Sequence, residues 1–137
     1  MATYNKFNAF VEHVAEGVHN LQTGALTVAL TAAANAPVAT NSVLADLTQI
    51  AYTNLSARVI TVSSSSQTSG TYSLVPADLV LTASGAVATF RYVVIYNDTP
   101  TSPADPLICW YDHGSDVTLA NGETYTLDFG ANLLTLA

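Results

Sequence analysis

Phe90-Arg91-Tyr92-Val93-Val94-Ile95-Tyr96 decides the fold of this chain. Phe90, Tyr92, Val94 and Tyr96 alternate with Arg91, Val93 and Ile95, and successive side chains of a strand point to opposite faces. Both faces are therefore largely apolar, which places the strand in the middle of a covered sheet. After a Pro-, Asp-, Thr- and Ser-rich loop from Asn97 to Pro106, Leu107-Ile108-Cys109-Trp110-Tyr111 is again apolar on both faces. The two segments are expected to pair as a hairpin with a long loop.

Shorter strand signals extend in both directions from this hairpin. Leu26, Val28 and Leu30 alternate with Thr27, Ala29 and Thr31, the pattern of a half-buried strand. Ala32 to Asn41 reads as an extended loop or arm, and Val43 to Ile50 as a short helical turn that Asn41 or Ser42 would cap. Val59 to Val62 predicts a strand, and the polar run Ser63 to Gly70 either a loop or a solvated edge strand. Tyr72 to Val75 and Leu79 to Thr82 are separated by Pro76, which lacks the amide a continuous central strand needs. Downstream, Val117 to Leu119 and the alternating run Tyr125, Leu127, Phe129 flank Asn121-Gly122, a strong hairpin signal, and Leu133 to Leu136 predicts a terminal strand.

The front of the chain has a different period. Phe7, Phe10, Val11, Val14, Val18 and Leu21 recur at spacings of three and four, which predicts an amphipathic helix within residues 1–21, weakened at Gly17. Seven to nine short strands after one helix indicate a mainly β chain. The expected architecture is a single antiparallel β-sandwich domain, jelly-roll-like, with the sandwich spanning residues 25–137.

Composition narrows the function. Half of the 137 residues are hydrophobic and only 9% are charged, against ~25% in an average soluble domain. So few charges are poor at holding neighbours apart, and subunit contacts would account for the deficit. The formal net charge is −7, with Lys6, Arg58 and Arg91 as the only strong cations, so a phosphate-neutralising patch for nucleic acid or anionic membrane is not expected. No apolar run approaches the ~20 residues of a membrane span. Acids at Glu12 and Glu16 argue against a signal peptide, and the single cysteine, Cys109, against an intramolecular disulfide.

Three groupings resemble reactive or ligand-binding sites, and each has a plainer reading. Asp112, His113 and Ser115 supply the residue types of a hydrolase triad, but Asp-His-Gly-Ser reads better as a polar turn, and no nucleophile elbow occurs. Glu12, His13, Glu16 and His19 place His and Glu at helical spacing, where a solvated or subunit-facing helix surface is favoured over a metal site. Asp98, Asp105, Asp112 and Asp116 are expected to crowd one end of the sheet, without the spacing of a calcium loop. Cys109 reads as a buried small hydrophobe, and Trp110 as core or subunit interface. The sequence therefore predicts no catalytic residues, no metal ligands and no cofactor.

Several segments, taken in order, carry a family resemblance: Lys6-Phe7-Asn8-Ala9-Phe10-Val11-Glu12, Glu16-Gly17-Val18-His19-Asn20-Leu21, Leu26-Thr27-Val28-Ala29-Leu30-Thr31, Ala36-Pro37-Val38-Ala39-Thr40-Asn41, Leu44-Ala45-Asp46-Leu47-Thr48-Gln49-Ile50, Phe90 through Thr99, and Leu134-Thr135-Leu136-Ala137. This ordered set resembles a family of small structural proteins of tailed phages. The resemblance implies a non-enzymatic virion component made in the host cytoplasm. Its expected role is a decoration or cement protein on the capsid exterior, bound to the major capsid protein. Self-association is expected too, and a trimer would suit capsid symmetry axes. A tail component is the alternative. A carbohydrate- or receptor-binding sandwich is a third reading, which would need exposed aromatics such as Trp110, Tyr111 or Tyr125.

Overall fold

The computed structural model describes residues 2–137. Its strands are β1 (Thr3–Lys6), β2 (Leu26–Thr31), β3 (Val62–Thr68), β4 (Thr71–Pro76), β5 (Leu79–Thr82), β6 (Phe90–Asn97), β7 (Leu107–Val117), β8 (Thr124–Leu127) and β9 (Leu134–Leu136), with one α-helix, α1 (Asn8–Ala15). The fold is mainly β and every strand pair is antiparallel. One sheet runs β1-β7-β6-β2, a second β3-β4-β9, and a third pairs β5 with β8.

The doubly apolar segments are interior, as their pattern predicts: β6 lies between β7 and β2, and β7 between β1 and β6. One face of this sheet contributes Val28, Leu30, Val93, Ile95 and Cys109 to the larger core, together with Phe10 of α1, Leu74 of β4, Leu81 of β5 and Leu127 of β8. The opposite face holds Phe7, Ala29, Val94, Leu107 and Trp110, packed under Leu44 and Leu47. This second core corrects two expectations. β2 is buried along its whole length, Thr27 and Thr31 included, so it is not half-buried. Residues 32–50 form a lid over that second core, and not a projecting arm; they contain two short 3-10 turns, Ala33–Asn35 and Leu44–Asp46. Neither Asn41 nor Ser42 caps the second turn. The Asp46 carboxylate folds back to accept the Ser42 and Val43 amides at 2.8 and 3.2 Å, which holds its own pKa below the usual carboxylate value.

The N-terminal helix is much shorter than its periodicity suggested. Residues 3–6 form β1 instead, pairing Thr3 to Lys6 with Asp112 to Cys109, because the edge of β7 offers a ladder to whatever chain lies beside it. The helix ends as Gly17 takes a φ of +74°, a left-handed conformation that glycine reaches without steric cost. Val18 and Leu21 thus fit the helical period without being helical. Phe7 and Phe10 pin the segment to the two cores of its own sheet.

Two more elements differ from expectation, and a third takes one of its two readings. Of Val59 to Val62, only Val62 is in a strand; Val28 and Ile60 donate backbone bonds to Arg58 and Leu26, so this stretch only brushes the outer edge of β2. Ser63 to Thr68 adopts the second of its two readings, an exposed outer strand. The Asn121-Gly122 turn forms, closed by Glu123 N–H to the Ala120 carbonyl at 3.0 Å, but Val117 to Leu119 is not its hairpin partner. β8 pairs with β5, some forty residues earlier, while the Leu119 carbonyl accepts from Val87.

Candidate functional site

An open groove forms where the four-stranded sheet ends at β1 and the chain between β8 and β9 passes in front of it. One section, of about 420 Å³, lies between Tyr4 and Lys6 of β1, Phe10, Val11 and Val14 of α1, and β9. The other, about 600 Å³, is lined by Tyr4, Tyr111, His113, Tyr125, Asp128 and neighbouring chain. Tyr4, Asn132 and Leu133 belong to both sections, which makes them one continuous feature. α1 leaves Val11 54% exposed there, with Tyr4 at 41% and Leu136 at 38%. These are three of the largest exposed apolar side chains, gathered in one place.

The aromatics are held by one another. Tyr4 meets Tyr111 edge to face with ring centroids 5.5 Å apart, and Tyr125 sits edge to face on Phe90 at 5.3 Å and on His113 at 5.5 Å. The Tyr125 hydroxyl and His113 Nδ1 are 3.0 Å apart. Burial raises the pKa of Tyr125, so the phenol keeps its proton at neutral pH. Trp110 is not part of the groove; it packs in the second core against Phe7 at 4.5 Å.

Asp112, His113 and Ser115 are not a turn. They lie within β7, where a wide bulge sets residues 113–116 against Arg91 alone between the pairs Tyr92–Asp112 and Phe90–Val117. Asp112 receives Arg91 Nε at 3.0 Å and the Gly114 amide at 2.8 Å, and these donors hold its carboxyl below the ordinary range. His113 faces Tyr125. The carboxylate and the imidazole thus serve different partners, which is not the orienting pair of a triad.

The four aspartates divide between the two ends of β7. Asp98 and Asp105 lie in the β6–β7 loop, where burial and the neighbouring Asp98 raise the pKa of Asp105. Asp112 and Asp116 lie near Arg91 at the far end. Among the described residues no group of three or more His, Cys, Asp or Glu side chains is arranged to hold a metal ion. Cys109 is fully buried, and its thiol is pushed up to about 12 by desolvation.

The α1 grouping also departs from a solvated face. Glu12 and Glu16 are exposed, but His13 and His19 turn inward, their ring centroids 6.0 Å apart, and the His19 ring meets Phe10 at a tilt with centroids 5.2 Å apart. His19 Nδ1 accepts from the amide of fully buried Asn97 at 3.3 Å. Among the described residues, His13 Nδ1 and His19 Nε2 have no hydrogen-bond partner. Burial, then the charge of His13, pushes His19 down from 6.5 to about 4. Its folded pKa lies below its unfolded one, so its stabilising effect is complete above pH 6.5 and is lost as pH falls toward 4. Thermal melts should drop by a few degrees across that window, and His19→Asn, which keeps an acceptor for Asn97, should remove most of the slope. An unchanged slope in the variant would assign the acid sensitivity elsewhere.

No family model matches the chain, and comparison with curated proteins and with solved structures finds no match either.

Proposed function

We propose that this chain is a non-enzymatic structural protein of a phage particle, a decoration or cement protein that sits on the capsid exterior and binds the major capsid protein. The observation that carries the reading is the groove: exposed Tyr4, Val11 and Leu136 clustered between β1 and β9, the outer strands of two sheets. An outer strand leaves backbone donors and acceptors unpaired, so this place offers both apolar area and a ladder for a neighbouring chain. Covering what remains exposed of the three side chains contributes roughly 1 kcal/mol each. The low charge of the whole chain and the phage-family resemblance of its ordered segments support the same assignment. The finer architecture we propose is a jelly-roll-like sandwich, with the four-stranded sheet facing the two smaller sheets across the larger core.

One observation favours a second reading. Tyr111 and Tyr125, two of the aromatics a carbohydrate-binding sandwich would need, line the groove beside Asp128.

Cryo-electron microscopy of the parent particle tests the assignment. Density for this chain on the shell, in numbers comparable to the major capsid protein, is the expected result; density confined to the tail would move the protein there. Particles lacking the chain should release their genome at a lower temperature, because a ligand that binds only the intact shell stabilises it by mass action. An unchanged release temperature would remove cementing from the proposal.

A further inference from the structure

The sheet β3-β4-β9 contains no charged side chain. None of the ten acids, and neither Lys6, Arg58 nor Arg91, lies in Val62–Thr68, Thr71–Pro76 or Leu134–Leu136. Its outer strand β3 reads Val-Ser-Ser-Ser-Ser-Gln-Thr, is exposed at most positions and pairs only with β4. Natural edge strands are usually guarded by lysine, proline or a covering element. Beyond an irregularity between Val62 and Ser64, β3 has no such guard.

We infer that β3 pairs antiparallel with β3 of a second copy of this chain, joining two three-stranded sheets into one of six. The register follows from the hairpin. Ser69 and Gly70, with φ of +50° and +84°, form a two-residue turn between the partners Thr68 and Thr71. A turn of this kind closes on a hydrogen-bonded pair, and such pairs alternate along the ladder. Ser66 with Ser73 is therefore hydrogen-bonded within the sheet, and the backbone groups of Ser65 and Gln67 point outward. A two-fold axis at Ser66 sets Ser65 against Gln67 of the second copy and Gln67 against Ser65, completing four backbone hydrogen bonds.

The occupant is a second copy because the seam is self-complementary. Ser64 would face Thr68, and Ser66 its counterpart, so hydroxyl meets hydroxyl at each pair on that face of the strand, while Ser65 meets the Gln67 carboxamide on the other. For a chain of net charge −7 this edge also lets two copies meet without opposing like charges across the ladder. The symmetry is two-fold, unlike the three-fold expected from capsid axes, and the inference does not rest on the virion reading. One strand edge covers less than the roughly 1,000 Å² of a stable interface, so dissociation in the range of roughly 10–500 μM is expected.

Sedimentation equilibrium of the full chain up to about 1 mM reads the association directly. The wild type should fit a monomer–dimer equilibrium. Ser66→Lys and Ser66→Glu each put like charges at the closest approach of the two strands and should weaken it at least tenfold, while their equimolar mixture should restore a dimer. Ser66 is exposed, and matching circular dichroism of both variants will establish that they fold. A wild type that stays monomeric at 1 mM, a trimer, or a dimer indifferent to both substitutions would overturn the inference.

Discussion

Phe90→Ala should destabilise the protein by ~3–5 kcal/mol, the usual cost of emptying a large aromatic site in a packed core. Phe90 has no exposed surface, and its ring meets Tyr125 edge to face at 5.3 Å. Phe90 belongs to the four-stranded sheet and Tyr125 to the β5–β8 pair, so this contact ties two sheets together. It also lies at the β7 bulge, where Phe90 pairs with Val117 and the ladder is already interrupted. Backbone pairing there has little capacity to hold the site closed once the ring is gone. Domains of this kind have about 5–15 kcal/mol in all, so the variant should be near its threshold, with Tm lowered by roughly 10–15 °C. Urea unfolding measures it; a loss below about 1.5 kcal/mol would mean that the sheets are held together elsewhere.

Phe90 also shows what was legible in the sequence. Its strand could be placed centrally because apolar residues on both faces leave a strand no exposed side, and the Leu107 to Tyr111 half of β7 was readable for the same reason, whereas Asp112 to Ser115 have the residue types of a turn and yet continue the strand. β2 was misread since Thr27, Ala29 and Thr31 look like a solvent face; Ala29 lies in the second core that Leu44 and Leu47 of residues 32–50 cover, and nothing in the strand's own alternation announces that the chain after it folds back as a lid. The Asn121-Gly122 turn was found but given the wrong partner, because turn chemistry is local whereas the choice of β5 for β8 is decided by which strand edges remain free. Helical period overran into Val18 and Leu21, although only Phe10 of α1 is buried.

The groove was the least legible part. Its walls come from residues 2–14, 93, 111–113 and 125–136, and no window of sequence contains them together. Val11 fits the apolar stripe by its spacing, so nothing in the sequence signals that it stands 54% exposed on the groove. The triad-like and metal-like groupings were visible in sequence, and each dissolved into separate pairs once strand faces and loop ends were assigned. Residue type marks candidates; the topology decides which of them meet.

The groove's role is tested most severely by charge. Val11→Asp with Leu136→Asp should weaken binding to particles that lack the chain by about 100-fold or more. Both positions are exposed, so the free protein can solvate two carboxylates and its Tm should change little. In a complex they would have to be buried against an apolar partner surface, at a cost of several kcal/mol unless the partner supplies cations. Each 1.4 kcal/mol is a factor of ten in affinity, so even partial burial of both gives the expected loss. Lys6, the one cation on the groove among the described residues, could pair with a new carboxylate in the free protein, but such a surface pair contributes at most about 1 kcal/mol and does not offset burial. Co-sedimentation of the variant with stripped particles provides the measurement, with Val38→Asp as the control because Val38 is similarly exposed but lies outside the groove. Equal binding by the double variant and the control would remove the groove from the capsid interface. Loss in the double variant alone would assign the contact to the space between β1 and β9.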